Sequence, residues 1–255
     1  MSHFKIGPSA KDYDLRGVVG SRPVNHGAHL ICLDLDGTLE DSRRDMVAAV
    51  HRVREALGLV RRTGEGILPW VNKGMDALYR ACFDDYLEGS EARLAAVRSR
   101  YEADYLENAA VETRLYPGIA GALKHLSALA PLVVVTNKPE RISRRLLDLL
   151  EVGKYFAAVI GGDTCGAAKP DPLLLKEAAQ RAGFDPKKGR AAMIGDTGAD
   201  IKMGRAFGAV TVWCAWGYID QPDEPPDCIA PSPEVLPALV ETALSLPARP
   251  VRRNG

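Results

Sequence analysis

Leu30-Ile31-Cys32-Leu33-Asp34-Leu35-Asp36-Gly37-Thr38-Leu39 opens as an apolar run and closes on two carboxylates and a glycine turn. A run of this kind reads as a buried strand. In an open α/β sheet, ligands gather beyond the carboxyl ends of the strands, so Asp34 and Asp36 would both stand in that crevice. Two carboxylates so placed point to a phosphoryl-transfer site. For this stretch taken alone, a strand ending in solvated aspartates is an equally good reading.

Three later segments repeat the pattern and shift that balance. Leu132 to Val135 runs into Thr136-Asn137-Lys138, Ala157 to Ile160 into Gly161-Gly162-Asp163, and Ala191 to Ile194 into Gly195-Asp196-Thr197. Between them lie amphipathic stretches such as Ile142, Leu146, Leu149 and Leu150, whose spacing builds one apolar helical face. Strand and helix therefore alternate. The pattern predicts an α/β fold, a Rossmann-like parallel sheet with helices on both faces, whose right-handed crossovers bring every strand C-terminus to one edge. Asp34, Asp36, Thr136 and Asp196 should converge there.

Taken in order, Asp34-Leu35-Asp36-Gly37-Thr38-Leu39, Thr136-Asn137, Lys169-Pro170 and Gly195-Asp196-Thr197 with Asp200 resemble the four motifs of the haloacid dehalogenase-like hydrolases. The resemblance runs from residue 29 to 245. It is closest to the phosphoglycolate phosphatase group, because the stretch between Leu39 and Pro117-Gly118 leaves room for a helical cap. The resemblance implies a core of residues 29–42 and 116–245, a cap of residues 43–115, an N-terminal extension of residues 1–28 and a tail of residues 246–255.

The resemblance also implies roles, and the chemistry gives a reason for each residue type. A carboxylate nucleophile such as Asp34 splits one hard displacement into two easier ones through an aspartyl-phosphate. Asp36 would protonate the leaving oxygen and then take a proton from water, which asks for a pKa near neutrality, and a neighbouring carboxylate pushes it that way. Backbone N–H groups around Gly37 and Thr38 would receive phosphoryl oxygens. So many anions require a cation, and Mg2+ is the expected one, with Asp34, the Asp36 carbonyl and Asp196 as ligands and Asp200 acting through water or one layer out. Lys169 would hold Asp34 and the phosphoryl group. Thr136 would donate to a phosphoryl oxygen, and Asn137 would order the loop or the phosphate.

Structural roles compete for some of these residues. Lysines are mostly exposed, but the setting Lys169-Pro170-Asp171-Pro172 favours a site residue, while Asp171 and Pro172 read as the start of a helix. Asp200 could be a first-turn acid that favours its helix dipole. Asp163 reads as structural.

In the proposed cap, Ser42 can start a helix whose positions Met46, Val47, Val50, Val53 and Leu57 share one face, and Gly58 can end it. Helical spacing returns from Gly74 to Leu87 and from Ser90 to Ala109, the latter with Leu94, Val97, Tyr101 and Tyr105. Arg43, Arg44, Arg52, Arg54, Arg61 and Arg62 read as solvated faces. Connections near Glu40 to Arg43 and Leu115 to Gly118 could hinge the cap. Glu40 stands where the resembling chains more often carry an apolar residue; facing the cavity, it would disfavour an acidic leaving group. Lys73 falls where the cap's substrate loop is expected and could bind such a group.

The 255 residues fit one core plus an insertion, and 33 Lys+Arg against 33 Asp+Glu give no global attraction to nucleic acid or acidic membranes. Five cysteines form neither a metal-ligand spacing nor an even disulfide set. No run approaches the roughly 18 apolar residues of a membrane span, and the N-terminus lacks a signal peptide's apolar core, so the cytoplasm is the expected location. Residues 1–28 read as a flexible arm or irregular extension. The best reading is a Mg2+-dependent phosphatase of a small phosphorylated metabolite, with 2-phosphoglycolate the first candidate. A sugar-phosphate mutase, a pyrophosphatase or a phosphonate hydrolase on the same core stays open, as does a non-catalytic binding or regulatory protein. Oligomeric state is not encoded in any pattern found.

Overall fold

The computed structural model describes residues 28–71 and 73–245, so the extension and the tail fall almost entirely outside the described residues. Its strands are β1 (Leu30–Leu33), β2 (Glu40–Asp41), β3 (Arg114–Leu115), β4 (Leu132–Val135), β5 (Phe156–Ile160), β6 (Ala191–Gly195), β7 (Val210–Cys214) and β8 (Cys228–Ala230). Six of them form a parallel sheet in the order β5-β4-β1-β6-β7-β8. The chain runs outward from β1 in one direction and then returns to run outward in the other. β1 is therefore central, flanked by β4 and β6, and the crevice beyond its C-terminal end is where the strand order reverses. The sequence reading anticipated four of these strands and missed β7 and β8 at one edge.

The helices are α1 (Arg43–Ala56), α2 (Gly64–Val71), α3 (Met75–Cys82), α4 (Asp84–Leu87), α5 (Glu91–Glu107), α6 (Ile119–Leu129), α7 (Glu140–Leu149), α8 (Leu173–Arg181), α9 (Gly198–Phe207) and α10 (Leu236–Ser245). Both sheet faces are covered. Alternation along β1 sends Leu30 and Cys32 into a core with Leu174, Leu175 and Met203, and Ile31 and Leu33 into a larger one with Leu123, Leu146 and Val240. In α7 the buried stripe is Ile142, Ser143, Leu146 and Leu147, so Leu149 at the last helical position is 39% exposed. Asp163 has the structural role expected of it, accepting from the Glu140 N–H at the start of α7 (2.8 Å). Asp171 Oδ1 likewise accepts from Leu173 N–H (2.9 Å) at the start of α8.

Helices α1 to α5 lie between β2 and β3, which pair antiparallel and hold the entry and exit of the insertion side by side. The apolar faces of these helices join the larger core without a break. Leu94, Val97, Tyr101 and Tyr105 are the buried stripe of α5, as their spacing predicts, and Ser90 caps it. The stretch Gly74 to Leu87 is split at Phe83 into α3 and α4, and α2 has no counterpart in the sequence reading. Two local expectations fail. Ser42 makes no cap bond to α1, because its hydroxyl is committed elsewhere. Arg54 is not solvated: its side chain is 2% exposed, pairs with Asp85 (2.6 Å) and donates to the Val60 and Cys82 carbonyls, which ties α1 to α3 and α4.

Candidate active site

Asp34 follows β1 directly, so the strand aims it into the crevice. Its Oδ1 lies 2.5 Å from Lys169 Nζ, and the same ammonium lies 2.7 Å from Asp200 Oδ1. Lys169 is held by its own backbone, whose N–H donates to Asn137 Oδ1 (2.9 Å). Asn137 therefore orders the lysine loop. Thr136, buried at the end of β4, accepts the Lys138 N–H on its hydroxyl (3.2 Å) and lines the same cavity. Asp200 also closes a capping box on α9 with Thr197, so its structural and electrostatic roles coexist.

Asp196, just beyond β6, is fixed from three sides. Thr38 Oγ1 donates to its Oδ1 (3.4 Å), the Tyr218 N–H donates to its Oδ2 (2.7 Å), and the Trp213 indole donates to its carbonyl (3.0 Å). A Cβ at Gly37, where φ is 80°, would overlap the Asp196 carboxylate. Only glycine allows that approach. Carboxylate oxygens of Asp34, Asp196 and Asp200 come within 4.8 Å of one another, all buried. Burial pushes the Asp34 carboxyl well up, opposed by Lys169 and reinforced by Asp200 and Asp196. Burial and then the Asp200 charge push Asp196 up to about 7. Three buried carboxylates share one ammonium, a donor set of hard oxygens that fits a divalent cation.

Asp36 has a different environment. Lys138 Nζ and Ser42 Oγ both bind its Oδ1. Burial raises the Asp36 carboxyl, but the Lys138 charge and hydrogen bonds outweigh it and hold the group below the usual carboxylate range. This corrects the expectation that a neighbouring carboxylate drives Asp36 toward neutrality, since the nearest strong charge is a cation. Lys138 is itself buried, 4.0 Å from Glu40 Oε1, 3.5 Å from the Tyr105 hydroxyl and 5.0 Å from that ring's centre. Glu40 is fully buried beside it and does not line the cavity, and burial followed by the Asp36 charge pushes its carboxyl well up.

The cavity thus has a polar floor of Asp34, Asp36, Thr136, Asn137, Lys138 and Lys169, and a wall of Met46, Val71, Gly74 and Met75 from the inserted helices. Of the residues read from the sequence, Gly37 and Thr38 pack around Asp196 instead of lining this space. Lys73 is exposed and also stays out of it, because the chain turns there and presents Gly74 and Met75 inward. Sequence reasoning missed Lys138, Ser42 and Tyr218 as well as the apolar wall. One signal was available: Lys138 follows β4 by three residues, at the same sheet edge as the carboxylates that follow β1.

Comparisons with known proteins agree with this geometry. Residues 28–208 match the model of the haloacid dehalogenase-like hydrolases. A phosphoglycolate phosphatase of Aquifex aeolicus is 33% identical over 213 residues, covering 83% of this chain and 96% of the relative. One from Chromobacterium violaceum is 36% identical over 193 residues, covering 74% and 86%. A crystal structure described as a predicted phosphoglycolate phosphatase from Haemophilus somnus superposes with a TM-score of 0.72 at 25% identity, covering 83% of this chain and 97% of that one. The chain belongs to the haloacid dehalogenase-like hydrolases, in their phosphoglycolate phosphatase-like group, and is a phosphatase of phosphoric monoesters.

Proposed function

We propose that the enzyme hydrolyses a small phosphorylated metabolite, 2-phosphoglycolate first among the candidates, in two steps through an aspartyl-phosphate on Asp34. The observation that carries this reading is the convergence of Asp34, Lys169, Asp196 and Asp200 beyond β1, with Asp36 lining the same small cavity. Asp34 attacks phosphorus while Lys169 screens the approach of one anion to another. The charge of the incoming phosphate opposes the Lys138 ammonium and favours protonation of Asp36, which then gives that proton to the leaving oxygen and accepts one from the water that attacks the intermediate. Thr136 orients a phosphoryl oxygen. Mg2+ would be held by Asp34 and Asp196, with the Asp36 carbonyl, and would neutralise phosphoryl charge, while Asp200 serves mainly through Lys169.

Helices α1 to α5 act as the cap in this reading. Their wall of Met46, Val71 and Met75 admits only a short leaving group, and among the described lining residues Lys138 is the cation not committed to Asp34. Lys73→Ala is accordingly expected to leave the ratio of kcat/KM for 2-phosphoglycolate to that for a neutral ester unchanged. A selective loss on the acidic ester would return Lys73 to the substrate.

Magnesium binding should depend on pH because Asp196, raised to about 7, must lose its proton to become a ligand. The sign follows: protons compete with the ion at Asp196, and at the raised Asp34 as well, so affinity falls as pH falls, by up to about tenfold per pH unit for each proton displaced. Calorimetric titrations of Mg2+ at several pH values check this, and an affinity independent of pH would count against Asp196 as a ligand.

The charge balance and the five free cysteines fit a cytoplasmic enzyme of a small-molecule ester, with no nucleic acid or membrane partner. Among the described residues no helix is long and apolar enough to cross a membrane. A panel of phosphate esters, including 2-phosphoglycolate, sugar phosphates, nucleotides and pyrophosphate, assayed with and without Mg2+, tests the reading. Preference for 2-phosphoglycolate with Mg2+ is expected. Preference for another ester would replace the substrate, and full activity in EDTA would remove the ion.

A further inference from the structure

Tyr218 stands between the two polar halves of the cavity. Its backbone N–H donates to Asp196 Oδ2 (2.7 Å), while its phenol oxygen accepts from the Ser42 N–H (3.0 Å) and lies 3.5 Å from Ser42 Oγ. Ser42 is the last residue before α1, and its hydroxyl donates to Asp36 Oδ1. The turn that carries Tyr218 is pinned on its other side, because the Trp216 indole donates to the Thr38 carbonyl (3.1 Å). It cannot shift freely either, since a Cβ at Gly217 would overlap Asp196 and crowd the Gly37 carbonyl. The Arg43 guanidinium lies 4.8 Å from the Tyr218 ring centre, so the first residue of α1 covers the phenol.

These contacts do more than fill space. A ring alone would pack as well, but only the hydroxyl gives the Ser42 N–H an acceptor, and Ser42 is the residue at which the chain leaves the site for the insertion. We propose that Tyr218 is a positioning residue for phosphoryl transfer: its hydroxyl fixes Ser42, which in turn holds Asp36 Oδ1 so that Oδ2 meets the leaving-group oxygen. Its backbone meanwhile sets Asp196. This rests on the phosphatase reading of the site. Lys138 holds the same Asp36 oxygen and also donates to Ser42 Oγ (3.4 Å), so loss of the tyrosine hydroxyl loosens the carboxylate without releasing it.

The consequence is selective. An alkyl phosphate needs its leaving oxygen protonated, whereas p-nitrophenyl phosphate releases a stable anion, so misplacing Asp36 should affect the first far more. Tyr218→Phe is expected to lower kcat for 2-phosphoglycolate about tenfold, and that for p-nitrophenyl phosphate by less than about threefold, at unchanged KM. Ser42→Ala should behave alike, and the double variant should fall no further than the weaker single one, since both remove the same constraint. Mg2+ affinity measured by calorimetry should stay within about twofold, because the N–H bond to Asp196 survives the loss of a hydroxyl. Equal losses on the two esters, additive effects in the double variant, or weakened Mg2+ binding would each overturn the assignment while the phosphatase reading stood. Wild-type protein inactive on both esters would overturn that reading and the inference with it.

Discussion

Asp34→Asn should abolish phosphoenzyme formation and lower turnover on the order of 10⁴-fold, while the protein stays folded. The substitution keeps the shape of the side chain and removes the attacking oxygen anion. A loss of that size corresponds to about 5 kcal/mol of transition-state stabilisation, more than an ordinary hydrogen bond supplies, so it separates a nucleophile from a binding group. Stability should move the other way. Asp34 is buried with Asp196 and Asp200 as like charges, and removing one charge relieves that repulsion, so the metal-free variant should melt no lower than the parent. Stopped assays with the variant and its melting curve, measured together, distinguish this from unfolding. Near-normal turnover would remove Asp34 from the nucleophile's role.

Lys169→Met should produce a different defect. It deletes the one ammonium that lies against both Asp34 and Asp200, leaving three buried carboxylates without a direct cationic partner in metal-free protein. Turnover at saturating Mg2+ should fall about 10³-fold, the scale on which loss of one preorganised electrostatic group is felt. Stability should become sensitive to pH in a defined direction. Asp34 in the folded state already holds its proton more tightly than an ordinary carboxyl, and without Lys169 the hold strengthens. The folded protein then binds more protons than the unfolded chain between about pH 4 and the raised value, so stability falls as pH rises through that window. Melting temperatures at acidic and neutral pH, with and without Mg2+, check this. The variant should lose most at neutral pH without the ion and regain part of the loss when it is added. A pH-independent loss would mean that Lys169 serves packing instead of charge.

What could be read from the sequence follows from where the information is local. Asp34, Thr136 and Asp196 each end an apolar run, and parallel strands with right-handed crossovers leave their C-termini at one edge, so the meeting of these residues was deducible before any coordinate. Lys169 was placed by its motif and not by periodicity, since nothing local distinguishes it from a surface lysine. The last two strands escaped because β8 is only three residues long and β7 is preceded by Gly208 and Ala209 at the end of a helix.

The contacts around Asp36 were not legible for a different reason. Lys138, Ser42 and Tyr218 are brought to it or to one another across 102, 6 and 176 positions, and three-dimensional closure alone decides which hydroxyl or ammonium arrives. Ser42 shows the competition directly. Its sequence position is that of a helix cap, where the hydroxyl would accept a first-turn N–H, yet it donates to the charged Asp36 carboxylate instead, the stronger bond of the two. Lys73 has an exposed side chain outside the cavity that the adjacent Gly74 and Met75 line. Arg54 looked like one of several solvated arginines until the fold enclosed it between backbone carbonyls and Asp85. In each case a charge was judged by its neighbours in the chain, and the fold supplied different ones.

In the proposed mechanism Asp34 carries the phosphoryl group during hydrolysis of 2-phosphoglycolate. Rapid quenching of the enzyme with that substrate and Mg2+, followed by mass spectrometry of the peptide containing Asp34, addresses it directly. The expected result is a peptide heavier by one phosphoryl group that forms before steady-state glycolate release and is absent from Asp34→Asn. Steady release of glycolate with no such adduct at any quench time, or an adduct on a different residue, would contradict the account.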